Sequence, residues 1–177
     1  MLANRTYGGI RAIELANSVV GKLPYHFSNF PDHETTVIDG IASLDGVATF
    51  LYENKCRKAS LVANQIKYRG TFYSDYLISL NKIEEGAKLS KMLRLPFLIF
   101  IYFEENEVLA YFQVTDYNGS IIIDYNQRRS KTMNTVNGGT ANRVNAFIEL
   151  SQIKIIESWC FLLVVFNLCL ENQKDGL

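Results

Sequence analysis

The chain has 177 residues, 48% of them hydrophobic and 20% charged, which fits a single domain with a full core and excludes a disordered chain. Eighteen basic residues balance eighteen acidic ones, so no global charge attracts nucleic acid and any such binding must rely on a local basic patch. The three cysteines lack metal-binding spacing and indicate the reduced thiols of a cytoplasmic protein.

The N-terminal region begins with a polar stretch that has no signal-like apolar core, so we expect a protein that is not secreted. Residues 10–23 then space apolar side chains at helical intervals and are followed by Pro24, which predicts an amphipathic helix carrying Glu14. Residues 25–30 indicate a short strand or an aromatic plug. His26 and His33 flank a polar loop, and we interpret them as surface histidines.

Residues 35–57 contain two β-rich runs joined at Leu44-Asp45-Gly46, which predicts a β-hairpin. The loop length decides which charged side chains share a face, because side chains alternate along a strand. A two-residue loop would place Asp39 on the face away from Glu53.

A three-residue loop with Gly46 in a bulge places Asp39, Glu53 and Lys55 on one face, and this is the arrangement we expect. Two carboxylates on neighbouring strands are hard oxygen ligands suited to Mg²⁺ or Mn²⁺. Such an ion would neutralise charge at a phosphodiester while Lys55 orients the attacking water. The hairpin is therefore a candidate phosphodiesterase site.

Asp39, a gap of thirteen residues, and Glu53-Asn54-Lys55 resemble the Asp…(Asp/Glu)-x-Lys signature of the PD-(D/E)xK, or restriction-endonuclease-like, nuclease superfamily. A following helix and apolar strand resemble small phage and prophage members, over about residues 10–115. Ile38 stands where the signature has proline, but that first position varies within the superfamily, so Asp39 remains the expected first acid. Asp32, which follows Pro31 in a polar loop, and Asp45 are weaker candidates.

This resemblance implies a Mg²⁺-dependent DNA endonuclease in which Asp39 and Glu53 hold the metal. The backbone carbonyl of Asn54 is a possible further ligand, and Lys55 positions or polarises the water. Related nucleases often use a helix-borne glutamate near the metal, which makes Glu14 a further catalytic candidate, although a solvated helix glutamate is the favoured interpretation.

Residues 56–73 interleave cationic side chains with aromatic ones, a combination that suits phosphates and unstacked bases respectively. A solvated loop would have the same composition. The basic residues that we assign to nucleic-acid binding in this run are Arg57, Lys58, Lys67 and Arg69.

Residues 75–80 predict a short strand, and Asn81 with Glu84 predicts a capping box that opens a helix at about 82–94. Lys82 and Lys88 project from this helix, where they either contact phosphate near the metal or form a solvated face.

The apolar run 97–103 predicts a central strand covered on both faces, and a hairpin should connect it to a strand at 108–114. Residues 121–123 and 147–150 are candidate added strands. The Arg-rich and Asn/Gly-rich segment up to residue 145 is either a loop that closes on nucleic acid or a surface excursion. The apolar tail 159–170 is too short to span a bilayer as a helix, and we interpret it as a buried terminal element or a homodimer interface.

The sequence as a whole predicts an α/β fold, a mixed central β-sheet flanked by helices with a restriction-endonuclease-like αβββαβ core. We expect one domain with a core at about 10–115 and an extension at 116–177, no membrane association, and DNA as the partner. The competing hypothesis is a non-catalytic nucleic-acid-binding or protein-interaction protein, in which Glu53 and Lys55 form only a surface ion pair.

Overall fold

The computed structural model describes residues 25–30, 38–131 and 142–156, and all structural statements refer to these residues. The strands are β1 (Tyr25–Asn29), β2 (Gly40–Leu44), β3 (Val47–Arg57), β4 (Ser60–Val62), β5 (Gln65–Tyr68), β6 (Thr71–Tyr73), β7 (Asp75–Ser79), β8 (Phe97–Phe103), β9 (Val108–Gln113), β10 (Tyr125–Lys131), β11 (Asn142–Glu149) and β12 (Lys154–Ile155). An α-helix, α1, spans Leu80–Leu93, and a 3-10 helix spans Leu150–Gln152.

The strands form three sheets. The largest has six strands in the order β1-β2-β3-β8-β9-β12, and its pairs are antiparallel except for the parallel pair β3–β8. The long connection between β3 and β8 contains β4 to β7 and α1. A second sheet has the order β10-β11-β7, and a small third sheet has the order β4-β5-β6.

The predicted α/β architecture, a central sheet flanked by helices, is wrong. Strands make up 59% of the described residues and helices 15%, with one α-helix among them, so the protein is mostly β. The physical reason lies in two segments that pair as strands rather than remaining loops. Residues 60–73 form the third sheet, and β10 and β11 add to β7 to form the second.

The strand β8 is the centre of the main sheet, and all seven of its residues are buried, which confirms the predicted central strand. The predicted hairpin to β9 is confirmed as well. Each face of β8 belongs to a different apolar cluster: Ile99 and Ile101 pack on one side, and Leu98 and Phe100 on the other. Leu51 of β3 lies on the same side as Ile99, so this side also carries the odd-numbered residues that follow it in β3.

The helix α1 follows β7 directly and packs close to the main sheet. A Cβ atom at Gly86 would lie 2.4 Å from the Phe97 ring, so only glycine allows this approach. Near the end of α1, the buried Ser90 hydroxyl lies 2.7 Å from the Thr115 hydroxyl and 2.9 Å from the Asp116 carbonyl oxygen. These contacts fix how α1 is placed on the sheet.

The capping box predicted at Asn81 and Glu84 is wrong, because α1 begins at Leu80 and its N-cap residue, Ser79, makes no side-chain cap hydrogen bond. The last residue of β7, Ser79, is directly followed by the first residue of α1, Leu80. The predicted helix at 82–94 is otherwise close to the observed bounds.

The remaining predictions have mixed outcomes. Residues 147–149 belong to β11, whereas Ile121 makes only an isolated bridge to Thr115. Residues 128–131, expected in a loop or a surface excursion, belong to β10. The predicted helix at 10–23 and the apolar tail at 159–170 lie outside the described residues. Among the described helices, none is long and apolar enough to cross a membrane.

Candidate active site

The β2–β3 hairpin brings the predicted acidic residues together by a different connection from the one expected. Asp45 and Gly46 form a two-residue turn in which both have positive φ (49° and 80°), as a type I′ turn requires. The pairing then shifts, because Ala42 lies opposite Phe50 while Ser43 lies opposite Ala48. An extra residue in β3 therefore forms a bulge.

The bulge corrects the register that the short turn alone would give. Beyond it Gly40 pairs with Tyr52, so Asp39, one residue earlier, lies beside Glu53, one residue later. Without the extra residue Asp39 would lie on the opposite face from Glu53. The predicted three-residue loop is thus wrong, and a two-residue turn with a bulge brings Asp39 beside Glu53 instead.

Asp39 is partly buried, and its carboxylate is held by the backbone of β3. The Asn54 backbone N–H donates to Asp39 Oδ2 at 2.7 Å. Burial raises the pKa of Asp39, and the Glu53 charge raises it further. The Asn54 hydrogen bond and the charges of Lys55 and Lys82 partly offset this rise. Two carboxylates in one site repel each other unless positive charge separates them.

Glu53 is the buried centre of the site, with a relative exposure of 1%. Its Oε1 atom accepts hydrogen bonds from Lys55 Nζ and from Lys82 Nζ, and both contacts are ion pairs. Its Oε2 atom is also buried and has no hydrogen-bond partner among the described residues. A buried carboxylate oxygen without a partner carries a desolvation penalty that a cation would relieve.

The two lysines reach Glu53 from different elements. Lys55 lies two residues further along β3 and points to the same face, whereas Lys82 lies in the first turn of α1. Burial lowers the pKa of Lys55 and the Lys82 charge lowers it too, while Glu53 and Asp39 act in the opposite direction. The net effect is a lowered pKa, so Lys55 holds its proton less tightly than an exposed lysine does.

The donor set fits a hard divalent cation. Mg²⁺ typically binds through one or two carboxylates and keeps several waters, so it does not need a cage of protein ligands. Asp39 supplies one carboxylate and the unpartnered Glu53 Oε2 supplies a second donor. Both donors are carboxylate oxygens, which are hard ligands of the kind that suits Mg²⁺ or Mn²⁺. In the described part of the chain no group of three or more His, Cys, Asp or Glu side chains converges.

The other predicted site residues are dispersed. Glu14, Asp32 and His33 lie outside the described residues. Asp45 is in the hairpin turn and has a positive φ. Aspartate is common at such turn positions, so its occurrence there needs no catalytic role. Lys88 is an exposed lysine of α1 that pairs with Glu85 at 2.6 Å, away from Glu53.

Three basic residues of the 56–73 run lie on aromatic rings. Arg57 stacks on Tyr76, Lys67 on Phe72, and Arg69 on Tyr68, with cation-to-centroid distances of 5.1, 5.8 and 5.2 Å. Arg57 and Lys58 also line a cavity of about 810 Å³ next to the site.

The sequence did not predict that Lys82 would contact Glu53. Lys82 was assigned to nucleic-acid binding because it projects from the non-core positions of the predicted helix, and it lies 29 positions after Glu53 in the sequence. No local signal predicts this contact, since it depends on how α1 packs on the sheet. Asp39 and Glu53, by contrast, lie on adjacent strands of one hairpin, where local periodicity is informative.

No protein-family model, curated protein or solved structure matches this chain.

Proposed function

We propose that the protein is a metal-dependent nuclease that hydrolyses phosphodiester bonds in DNA. The observation that carries the proposal is the buried Glu53 carboxylate, whose Oε2 has no partner among the described residues although Asp39 and two lysines surround the same side chain. The Asp39…Glu53-Asn54-Lys55 motif, which resembles the PD-(D/E)xK signature, supports the same chemistry. A DNA substrate also makes the cytoplasm the compartment we propose.

Burial weighs against the simpler interpretation of a surface ion pair. A surface pair contributes little to stability and is fully hydrated, whereas Glu53 is almost inaccessible. Burying a carboxylate is unfavourable unless all of its oxygens are paired, and a purely structural pair would be expected to satisfy Oε2. Such an arrangement is more typical of a functional site, where desolvated charges cluster.

In the proposed mechanism each side chain has a separate task. Asp39 and Glu53 bind the cation, with the Asn54 carbonyl as a further donor, and the Asn54 N–H holds the Asp39 carboxylate in place. A Mg²⁺ or Mn²⁺ ion bound there would supply positive charge to the phosphate oxygens and lower the pKa of a water molecule.

The lysines complete the chemistry. Lys55 Nζ, whose pKa is lowered by burial, orients the attacking water. Because Lys55 is an ammonium ion in the pair with Glu53, it must first release a proton to solvent before it can accept one from that water. Lys82 Nζ keeps Glu53 Oε1 neutralised when Lys55 turns toward that water, and it stabilises the negative charge that grows on the phosphate.

The test is a cleavage assay with plasmid, linear, branched and single-stranded DNA in Mg²⁺, Mn²⁺ or chelator. We expect the Lys55→Ala variant to lose at least about 100-fold in rate, the lower range for a removed acid–base group, and to keep its fold by circular dichroism. The matched control is Lys88→Ala, which removes an exposed lysine that does not contact Glu53.

The outcomes separate the proposal from its alternative. Metal-dependent cleavage that is lost in Lys55→Ala and kept in Lys88→Ala supports the mechanism. Cleavage that is equal in both variants contradicts the role of Lys55. If the wild-type protein cleaves none of these DNAs with either metal, the hydrolytic proposal is wrong and a non-catalytic binding protein is the better hypothesis.

A further inference from the structure

A large cavity opens at the end of β3, beside the candidate active site. Its volume is about 810 Å³, within the range of small-molecule binding pockets. We call it the aromatic cavity and define it by the rings and guanidinium groups that line it, which are Arg57, Tyr68, Phe72, Tyr73, Tyr76, Arg128 and Phe147. Lys58 adds a third cation and Asp75 an acidic group, so positive charge prevails locally in a chain with no net charge.

Two of these rings are exposed to an unusual degree. Phe72 is 52% and Tyr73 47% exposed, and both lie on β6, whose three residues are all exposed. Large aromatic side chains normally bury most of their surface. Neighbouring exposed rings at the rim of a cavity mark a binding surface rather than a folding core.

The guanidinium groups of the cavity lie over aromatic rings. The Arg128 guanidinium carbon is 4.9 Å from the centroid of Phe147, and that of Arg57 is 5.1 Å from the centroid of Tyr76. A guanidinium on a ring face can still donate hydrogen bonds to phosphate from its edge. The edge of Arg128 lies 3.9 Å from Asp75 Oδ2, a weak ion pair that a phosphate would compete with. Rings and guanidinium planes are the two kinds of surface on which proteins stack unpaired bases.

The aromatic cavity adjoins the catalytic residues. Lys55 and Arg57 are alternate residues of β3 and point to the same face, with about 7 Å between them along the strand. Tyr76 connects the two regions, because its ring contacts Arg57. Burial raises the pKa of its hydroxyl to about 12, and the Glu53 charge adds a smaller rise. About 7 Å corresponds to one or two nucleotides of a DNA strand.

We propose that the aromatic cavity binds unpaired bases of single-stranded DNA next to the phosphodiester bond that the active site hydrolyses. The choice of DNA rests on the proposed function. Single-stranded DNA is the form that fits, because the faces of duplex bases are covered by their neighbours whereas unpaired bases expose faces that can stack on Phe72 and Tyr73. The preferred substrates are therefore single strands, or branched DNA with an unpaired segment.

The experiment measures binding without cleavage. Fluorescence anisotropy of labelled single-stranded DNA is recorded in chelator with the full chain, beside a duplex and an RNA of the same sequence. We expect tighter binding to the single strand than to the duplex. Phe72→Ala should weaken single-strand binding by about 5- to 150-fold, the range for loss of one stacking ring, and leave duplex binding unchanged.

Two matched controls separate stacking and charge from general effects. Val62→Ala removes an apolar side chain of similar exposure (47%) from the same small sheet, but Val62 does not line the cavity. Arg128→Gln should weaken single-strand binding, whereas Arg129→Gln removes the same charge from the next residue of β10, which is outside the cavity lining. Thermal melting of each variant checks the fold.

The inference is overturned if Phe72→Ala binds single strands as tightly as Val62→Ala does. It is also overturned if Phe72→Ala changes only the oligomeric state, which would make the cavity a protein interface, or if RNA binds more tightly than DNA. Failure of the proposed function looks different: single-strand binding lost in Phe72→Ala, with no cleavage in Mg²⁺ or Mn²⁺, would leave the cavity assignment standing and remove the hydrolytic mechanism. Cleavage that is unchanged in Phe72→Ala would leave the hydrolytic mechanism standing and remove the cavity assignment.

Discussion

Asp39 occupies a position that weakens the metal-free fold. Its pKa is raised chiefly by burial, with a contribution from the Glu53 charge, so the folded protein holds the Asp39 proton more tightly than the unfolded chain does. The stabilising contribution of protonated Asp39 is present below its ordinary pKa and is lost as the pH rises through the raised pKa. At neutral pH the ionised carboxylate therefore lowers the stability of the metal-free fold, and a bound cation would offset this loss.

This electrostatic arrangement predicts that Asp39→Asn is more stable than the wild type in chelator at neutral pH. The amide keeps an oxygen for the Asn54 N–H but removes the buried charge. A gain of about 2–4 °C in melting temperature corresponds to roughly 1 kcal/mol for a chain of this size. The measurement is thermal melting of both proteins from pH 4 to 8, and the difference should shrink toward acid pH.

Magnesium provides the second half of this test. Ligand binding to the folded state raises the melting temperature of the wild type, because binding stabilises the folded form alone. The same ion should leave Asp39→Asn nearly unchanged. An equal magnesium-induced shift in both proteins would show that Asp39 is not a metal ligand, whatever its effect on metal-free stability.

At the scale of single elements, the position of α1 decides where Lys82 lies. Lys82 is one helical turn before Gly86, the residue that allows α1 to approach Phe97. The contact between Lys82 and Glu53 thus depends on a glycine that does not itself touch the site. Helix propensity alone would favour alanine at this position by about 1 kcal/mol.

We expect Gly86→Ala to be destabilising in spite of this propensity. The new methyl group would overlap the Phe97 ring, and overpacking of this kind costs about 1–3 kcal/mol. Urea unfolding measures the loss, with Glu84→Ala on the exposed side of α1 as the control. The rate of cleavage should fall more in Gly86→Ala than in Glu84→Ala. The new methyl group pushes α1 away from Phe97, and this shift moves Lys82 away from Glu53. A stable and fully active Gly86→Ala protein would contradict this account of helix packing.

Elements with a strong local signal were predictable and those set by long-range pairing were not. The apolar run at Phe97–Phe103 is buried on both faces as expected, since seven apolar residues in a row have no other stable environment. The third sheet also had a usable signal: Asn64 and Gly70 each take positive φ in two-residue turns between short strands. If the segments around Asn64 and Gly70 are interpreted as hairpin turns, the sequence predicts the short strands of the third sheet in place of a loop.

The second sheet and the details of the site had no such signal. The strand β11 pairs with β7, about 70 residues earlier in the chain, and no short-range pattern specifies that partner. The bulge in β3 adds one residue without glycine or proline to mark it, so the hairpin loop was predicted one residue too long. The α/β fold class failed for the same reason, because long-range strand pairing covers a face where helices were expected.

The whole molecule carries no net charge, and this limits how it can bind DNA. Proteins that rely on phosphate contacts bind through large basic surfaces, and their affinity falls steeply with salt. Here the cations of the aromatic cavity are Arg57, Lys58 and Arg128, and in the proposed complex its rings would supply the remaining contacts. Binding should therefore depend on stacking more than on charge.

This balance predicts a shallow salt dependence. Each cation that neutralises a phosphate of single-stranded DNA contributes about −0.7 to the slope of log K against log salt concentration, so three cations give a slope of about −2. Anisotropy titrations of single-stranded DNA in chelator, repeated over a series of salt concentrations, measure it. Arg128→Gln should reduce the slope by about 0.7 and Phe72→Ala should lower the affinity without changing the slope, because a stacked base releases no counterion. A slope much steeper than −2 would show that basic residues outside the aromatic cavity dominate binding.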